Sequence, residues 1–420
     1  MRDGDGVAGS GRGEIAADPR ADGGPTGRMR TPLWVVGALT GLGSLSTGAA
    51  INGIYFVTER EFGYGDAANL ALAVVVGLAY VAAALTAGPV FTRLRARLSQ
   101  RAAVACILAG MGLLCFLPVL WPTPVAVWIF CILNSILSGW FWPLVESYVS
   151  GGRRGAALRR ATGVFNVSWA SAVAVSFWLM QPLLALAPLS VLAALGCVLL
   201  GTLCLVPLLT PHAAPHGEGG HVHSPDEVAL YRCLLGVCRC LLVMSYLLMS
   251  IVTPLLPSLI EAVGVREGSR TVFASTWMVS RVLTFVCMQS THRWHGVRTA
   301  PALFAAVMVL GFIGCLVATG PLGLAASLAV FGAALGAIYA AAIYYALEVG
   351  AAEVDAGGRH EALIGLGYAG GPAAGLAALG VATLLPDAGP GAARVILIGA
   401  ALLVTGALSA VAWRIGRRAR

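Results

Sequence analysis

The chain has 420 residues, of which 58% are hydrophobic and only 11% charged, and its mean hydropathy is +0.84. Soluble domains carry about a quarter charged residues, so composition excludes an ordinary soluble enzyme or binding module and points to an integral membrane protein. The formal net charge is +8. The sequence contains no lysine and its arginines gather in short segments between apolar runs, so the charge reads as a membrane-orientation signal and not as a nucleic-acid surface.

Residues 1–30 mix charge with Gly and Pro and lack an apolar core, which predicts a disordered tail and no signal peptide. From residue 33 onward the chain alternates apolar runs with short polar breaks. A helix needs about 20 apolar residues to cross a bilayer core, and twelve runs satisfy this: 33–57, 68–91, 102–120, 124–148, 162–181, 188–209, 232–259, 271–290, 299–319, 322–346, 361–384 and 392–414. Backbone groups in lipid must bond within their own segment, so each run is expected to be an α-helix. The runs are too long, and too free of period-two alternation, for barrel strands.

Twelve spans sort the charges. Arg93, Arg95, Arg97 and Arg101 follow the second run, Arg153, Arg154, Arg159 and Arg160 the fourth, Arg293 and Arg298 the eighth, and Arg414, Arg417, Arg418 and Arg420 the last. All fall on one side. Glu59, Glu61, Asp66, Glu261, Glu267 and Asp387 fall on the other. The positive-inside rule then places both termini in the cytoplasm. Residues 211–230, rich in Gly, Pro and His, are expected to be a cytoplasmic linker between an amino-terminal six-helix unit (31–210) and a carboxy-terminal one (231–416). Two segments at equivalent places repeat one layout: WPLVESYVSGGRRGAALRRATGVFNVSWA (142–170) and YYALEVGAAEVDAGGRHEALIGLGYAGGP (344–372). Each runs from an apolar stretch through a glutamate, a short charged loop and glycine into the next apolar stretch. Ten cysteines lie in apolar runs without any CxxC spacing and are expected to be buried small hydrophobes.

Twelve spans, a central linker and basic loops after spans 2, 4 and 8 resemble the major facilitator superfamily, over about residues 31–416. Its span 2–3 loop pattern, G-x-x-x-D-R-x-G-R-R, is met here by GPVFTRLRARLSQR. Gly88 and Arg93 fit it, while Thr92 replaces the aspartate and Arg95 the second glycine. The counterpart in the second half, QSTHRWHGVR, keeps Arg293 and Gly296. The chain is also similar to a bacterial subgroup of that superfamily in Trp142-Pro143, Glu146, Arg160, Gly163, Phe165-Asn166 and Ser168-Trp169, and in Trp277, Arg281 and Arg293-Trp294-His295-Gly296. The resemblance implies an all-α integral membrane fold of twelve transmembrane helices in two six-helix bundles that rock about a midplane site. The string GYAGGPAAG at Gly367, Gly371, Pro372 and Gly375 reads as close helix packing.

An ionisable side chain at membrane depth costs several kcal/mol and needs a reason. Arg281 lies near the middle of span 8 with Trp277 one turn before it. It is expected either to hold an anionic group of a solute or to be neutralised within the protein. Asn52, Asn134 and Trp169 are candidate cavity walls. Glu146 and Glu348, with Arg93 and Arg160, are candidates for a cytoplasmic gate, and the glutamates are also the candidate carriers of any coupling proton. His212, His216, His221 and His223 in the linker leave a metal-binding alternative open. No Walker A loop, GxSxG elbow or HExxH motif is present, so neither an enzyme nor a cofactor is expected. The expected function is a monomeric secondary transporter of a small solute in a bacterial cytoplasmic membrane. The alternatives are efflux of amphipathic drugs, or a non-transporting sensor using the His-rich linker.

Overall fold

The structure, a computed structural model, describes residues 30–153, 155–214, 224–291, 293–349, 354–385 and 392–418. The amino-terminal tail and most of the His-rich linker, including His216, His221 and His223, lie outside the described residues, as does the Glu348 side chain. Among the described residues, 12 helices are long and apolar enough to cross a membrane. They are α1 (Leu33–Phe62), α2 (Asp66–Leu94), α3 (Gln100–Leu120), α4 (Pro124–Ser150), α5 (Ala156–Leu186), α6 (Ser190–Leu208), α7 (Pro225–Ala262), α8 (Glu267–Ser290), α9 (Ala300–Val317), α10 (Pro321–Ala346), α11 (His360–Thr383) and α12 (Ala392–Val411). The chain is a multi-pass membrane protein, all-helical over its described residues.

Several helices outrun their apolar windows. α7 starts at Pro225, seven residues before the expected 232, because Ser224 and Glu227 form a reciprocal capping box that extends the helix into the linker. α1 continues to Phe62 and ends on Gly63, whose φ of 66° is left-handed. Gly264 repeats this turn after α7 with φ 78°, and each glycine N–H donates to a glutamate carbonyl, of Glu59 and Glu261 respectively, at 2.9 Å. These are equivalent points of the two halves, so a backbone conformation that favours glycine marks the repeat where side-chain identity does not.

Packing repeats with the same period. α1 packs on α5 and α6 and α2 on α4; in the second half α7 packs on α11 and α12 and α8 on α10. The halves meet along two seams, α2 against α11 and α5 against α8. The first is the more extensive and is built on small residues. A Cβ at Gly77 would strike the Tyr368–Ala369 backbone, one at Gly365 would meet Val81, and one at Gly375 would meet Leu70. Gly367 and Gly371 seat Tyr246 and Leu247 of α7 in the same way, so the GYAGGPAAG string packs helices.

The cysteines correct one expectation. All are free, and Cys115, Cys131, Cys238 and Cys315 are buried, but Cys106, Cys197, Cys204 and Cys287 are exposed. A membrane protein turns apolar residues outward, so an apolar run does not imply an interior position.

Candidate functional site

A cavity lies between the two halves and is lined from α1, α2, α4, α5, α7, α8, α10 and α11. α1 reaches it through a π-helical turn, Ala49–Gly53, which places Ile51 and Asn52 on the wall. Such turns often mark functional positions in helices.

Arg281 forms part of the wall and is 2% exposed. Glycines on α10 set its position. Gly332 lies against the Trp277 carbonyl, and one turn on, a Cβ at Gly336 would sit 3.1 Å from Arg281 Cγ. Two glycines one turn apart therefore let α8 approach closely enough to push Trp277 and Arg281 into the cavity wall. The guanidinium carbon lies 4.6 Å from the ring centre of Trp169, 5.1 Å from Tyr339, 5.6 Å from Tyr246 and 5.8 Å from Phe285. Each such contact is worth about 0.5–1 kcal/mol when exposed and ~2 kcal/mol or more when desolvated. Nη2 donates to the Tyr246 hydroxyl at 3.2 Å, and Nη1 reaches only the Met249 sulfur, at 3.9 Å. Nε has no hydrogen-bond partner among the described residues, and neither has the indole N–H of the buried Trp277. Among the described residues no carboxylate lies within ion-pair distance of Arg281.

Tyrosines run from this cage across the cavity. Tyr339 contacts Tyr246 at 6.4 Å, Tyr246 contacts Tyr368 at 5.3 Å and Tyr368 contacts Tyr80 at 5.6 Å between ring centres. The row ends on Glu361 of α11, 5% exposed, which accepts a hydrogen bond from the Tyr80 hydroxyl. The Glu146 carboxyl of α4 lies close to Glu361. Two carboxylates in one buried site repel, which favours a proton on one of them. The pair spans the two halves, with Tyr80 and Glu146 in the first and Glu361 in the second.

Of the residues expected at a site, Arg281, Trp277, Trp169 and Asn52 line one cavity, while Asn134 is buried in α4 away from its wall. The expected gate is arranged differently. Arg93 and Arg160 are exposed and have no ion pair among the described residues. Glu146 turns inward to Glu361 instead, because it stands a full turn before the end of α4 and not in the loop. Sequence reading missed Glu361, Tyr80, Tyr246, Tyr339 and Tyr368. The available signal was a set of tyrosines deep in four apolar runs, away from the lipid–water interfaces where that residue usually gathers.

At the acidic end of the helices the halves are pinned by charge. Arg270 lies 3.1 Å from Glu261 and 3.7 Å from Glu59, and Arg60 pairs with Glu267. Gln181 accepts from the Thr271 N–H at 3.0 Å and donates to the Glu267 carbonyl at 3.0 Å, while Trp178 donates to the Ser275 hydroxyl at 2.8 Å. At the arginine-rich end Gln289 donates to the Arg159 carbonyl at 3.2 Å.

No protein-family model and no curated protein sequence matches the chain. Solved structures do. A point variant of the nucleoside transporter NupG superposes with a TM-score of 0.65 at 14% identity, covering 90% of this chain and 99% of that one. NupG itself gives 0.63 at 15% identity, covering 90% and 98%. A bacterial homologue of the human lysosomal transporter Spinster, inward-facing and unoccupied, gives 0.65 at 12% identity, covering 93% and 99%. These matches extend over nearly the whole chain. The chain shares the fold of these solved structures.

Proposed function

We propose that the protein is a secondary transporter, not an enzyme, and that it moves a small anionic solute by alternating access of its two halves. The observation that carries this is Arg281, a buried guanidinium with free donors in a cavity between two packed halves. Removing a charge from water costs several kcal/mol, offset only by good partners. Aromatic faces offset part of that cost, and an anionic solute completes it. The likeness to transporters of known structure supports transport as the role of the cavity, and the substrates of those proteins are their own.

The arginine-rich loops support an orientation with both termini in the cytoplasm, and the resemblance of the span 4–5 and 8–9 strings supports a bacterial cytoplasmic membrane. The Glu146–Glu361 pair supports a coupling proton. A proton on one carboxyl relieves the repulsion between them, and its loss places two carboxylates against each other across the seam.

Reconstitution into proteoliposomes tests the function. Counterflow of labelled organic anions is expected in the wild type and not in Arg281→Ala. Equal counterflow of neutral solutes or lipophilic cations by both proteins would overturn the anion reading.

A further inference from the structure

The cavity wall says more about the solute than its charge. Its lining includes the rings of Trp142, Phe165, Trp169, Tyr246, Tyr339 and Tyr368, contributed from both halves. The rings meet edge to face: Trp142 with Phe165 at 6.2 Å and 76°, Trp169 with Tyr339 at 5.4 Å and 67°, Tyr246 with Tyr368 at 5.3 Å and 71°. Neighbouring rings held near right angles present both faces and edges to the space between them. A flat conjugated solute matches such walls by offset stacking and edge-to-face contact, which adds to burial alone. A saturated solute of the same size gains only the burial.

The donors favour one carboxylate at one end. Arg281 offers Nε, without a partner, and Nη1, with only a thioether, and Trp277 adds an unpartnered indole N–H one turn away. Nε shares its edge of the guanidinium with Nη2, which gives only one of its two N–H groups to Tyr246, and that edge suits the fork of a carboxylate. A different wall of the same cavity carries Glu361, with Glu146 close by, and that carboxyl pair disfavours a second negative charge.

We propose that the solute is an aromatic monocarboxylate, one or two conjugated rings bearing a single carboxylate that docks on Arg281. This rests on the transport reading above, with Arg281 as the anchor. The test is titration calorimetry on the full-length protein in nanodiscs with defined probes. The probes are benzoate, 2-naphthoate, cyclohexanecarboxylate, benzamide and terephthalate. Benzoate or 2-naphthoate is expected to bind about tenfold tighter than cyclohexanecarboxylate, the size of one or two good ring contacts, and tighter still than benzamide or terephthalate. In Trp142→Leu and Tyr368→Leu that preference should shrink toward unity while cyclohexanecarboxylate affinity changes little, which a merely structural role of either ring would not produce. Equal binding of benzoate and cyclohexanecarboxylate to the wild type overturns the aromatic class and leaves the anion anchor standing. Tightest binding by terephthalate overturns the single charge. Benzamide binding to the wild type as tightly as benzoate overturns the anchor itself. The wild-type panel alone decides these three, so a variant that fails to fold removes none of them.

Discussion

Arg270 and Arg281 lie on the same helix, about three turns apart, and their surroundings differ in kind. Arg270 stands at the acidic end of α8 among carboxylates, 3.1 Å from Glu261 and 3.7 Å from Glu59, with Arg60 and Glu267 paired beside it. Arg281 is buried among four aromatic rings with no carboxylate in reach among the described residues. The first is neutralised by the protein and ties the halves together. The second is held in place but left electrostatically incomplete. Exposed ion pairs are worth only ~0.2–1 kcal/mol each, enough to bias a conformational equilibrium and weak enough to release. A buried charge awaiting a partner stakes several kcal/mol on that partner. One arginine therefore latches and the other binds.

The largest expected effect breaks the binding side of this contrast. Arg281→Ala removes two charge-assisted donors, worth ~1.5–3 kcal/mol each, and should weaken organic-anion affinity by about 100-fold or more while the protein stays folded, since no internal ion pair is lost. Calorimetry and size-exclusion profiles of the same preparation check both halves of that statement. Glu361→Gln comes next. The amide still accepts from Tyr80 and carries no charge to repel Glu146, so solute binding should stay within about threefold. Transport should lose its response to an imposed pH gradient, read with a trapped pH dye in proteoliposomes. A response equal to wild type would remove the carboxyl pair from coupling. Arg270→Ala addresses the latch. Solute affinity at a fixed conformation should be unchanged, and the acidic end should open more often, a shift of ~1 kcal/mol or about fivefold in population. Distance distributions between spin labels at the acidic ends of α1 and α8 report it. Arg60→Ala is the smallest, under about threefold in the same measurement, because Arg60 and Glu267 are among the more exposed of these groups and are screened by salt.

Much of the fold was legible in the sequence. Each of the twelve apolar runs is long enough to demand a helix, and the arginine loops sort into one face only if all twelve cross. Helix ends were less legible because polar terminal turns, such as the Ser224–Glu227 cap, leave no hydropathy signal. Arg281 stood out because a charge in the middle of STWMVSRVLTF has no cheap explanation. Glu361 did not, because it sits at the first turn of its apolar run beside His360, where a carboxyl passes for a solvated helix end. Its burial follows from α11 packing tightly along α2 through Gly77 and Gly365, a contact between halves that no local pattern encodes. The tyrosines were illegible for the same reason. Each is unremarkable in its own helix, and only the convergence of α2, α7, α10 and α11 sets them in a row.

The measurement that tests the central claim most directly is a thermal-shift titration of wild type, Arg281→Ala and Arg270→Ala with benzoate. A ligand at 100 times its dissociation constant stabilises a fold by about 2.7 kcal/mol when it avoids the unfolded chain. The contrast between the two arginines predicts a shift in wild type that persists in Arg270→Ala and vanishes in a folded Arg281→Ala. A shift of the same size in all three proteins would contradict it and make Arg281 a structural residue of the α8–α10 seam.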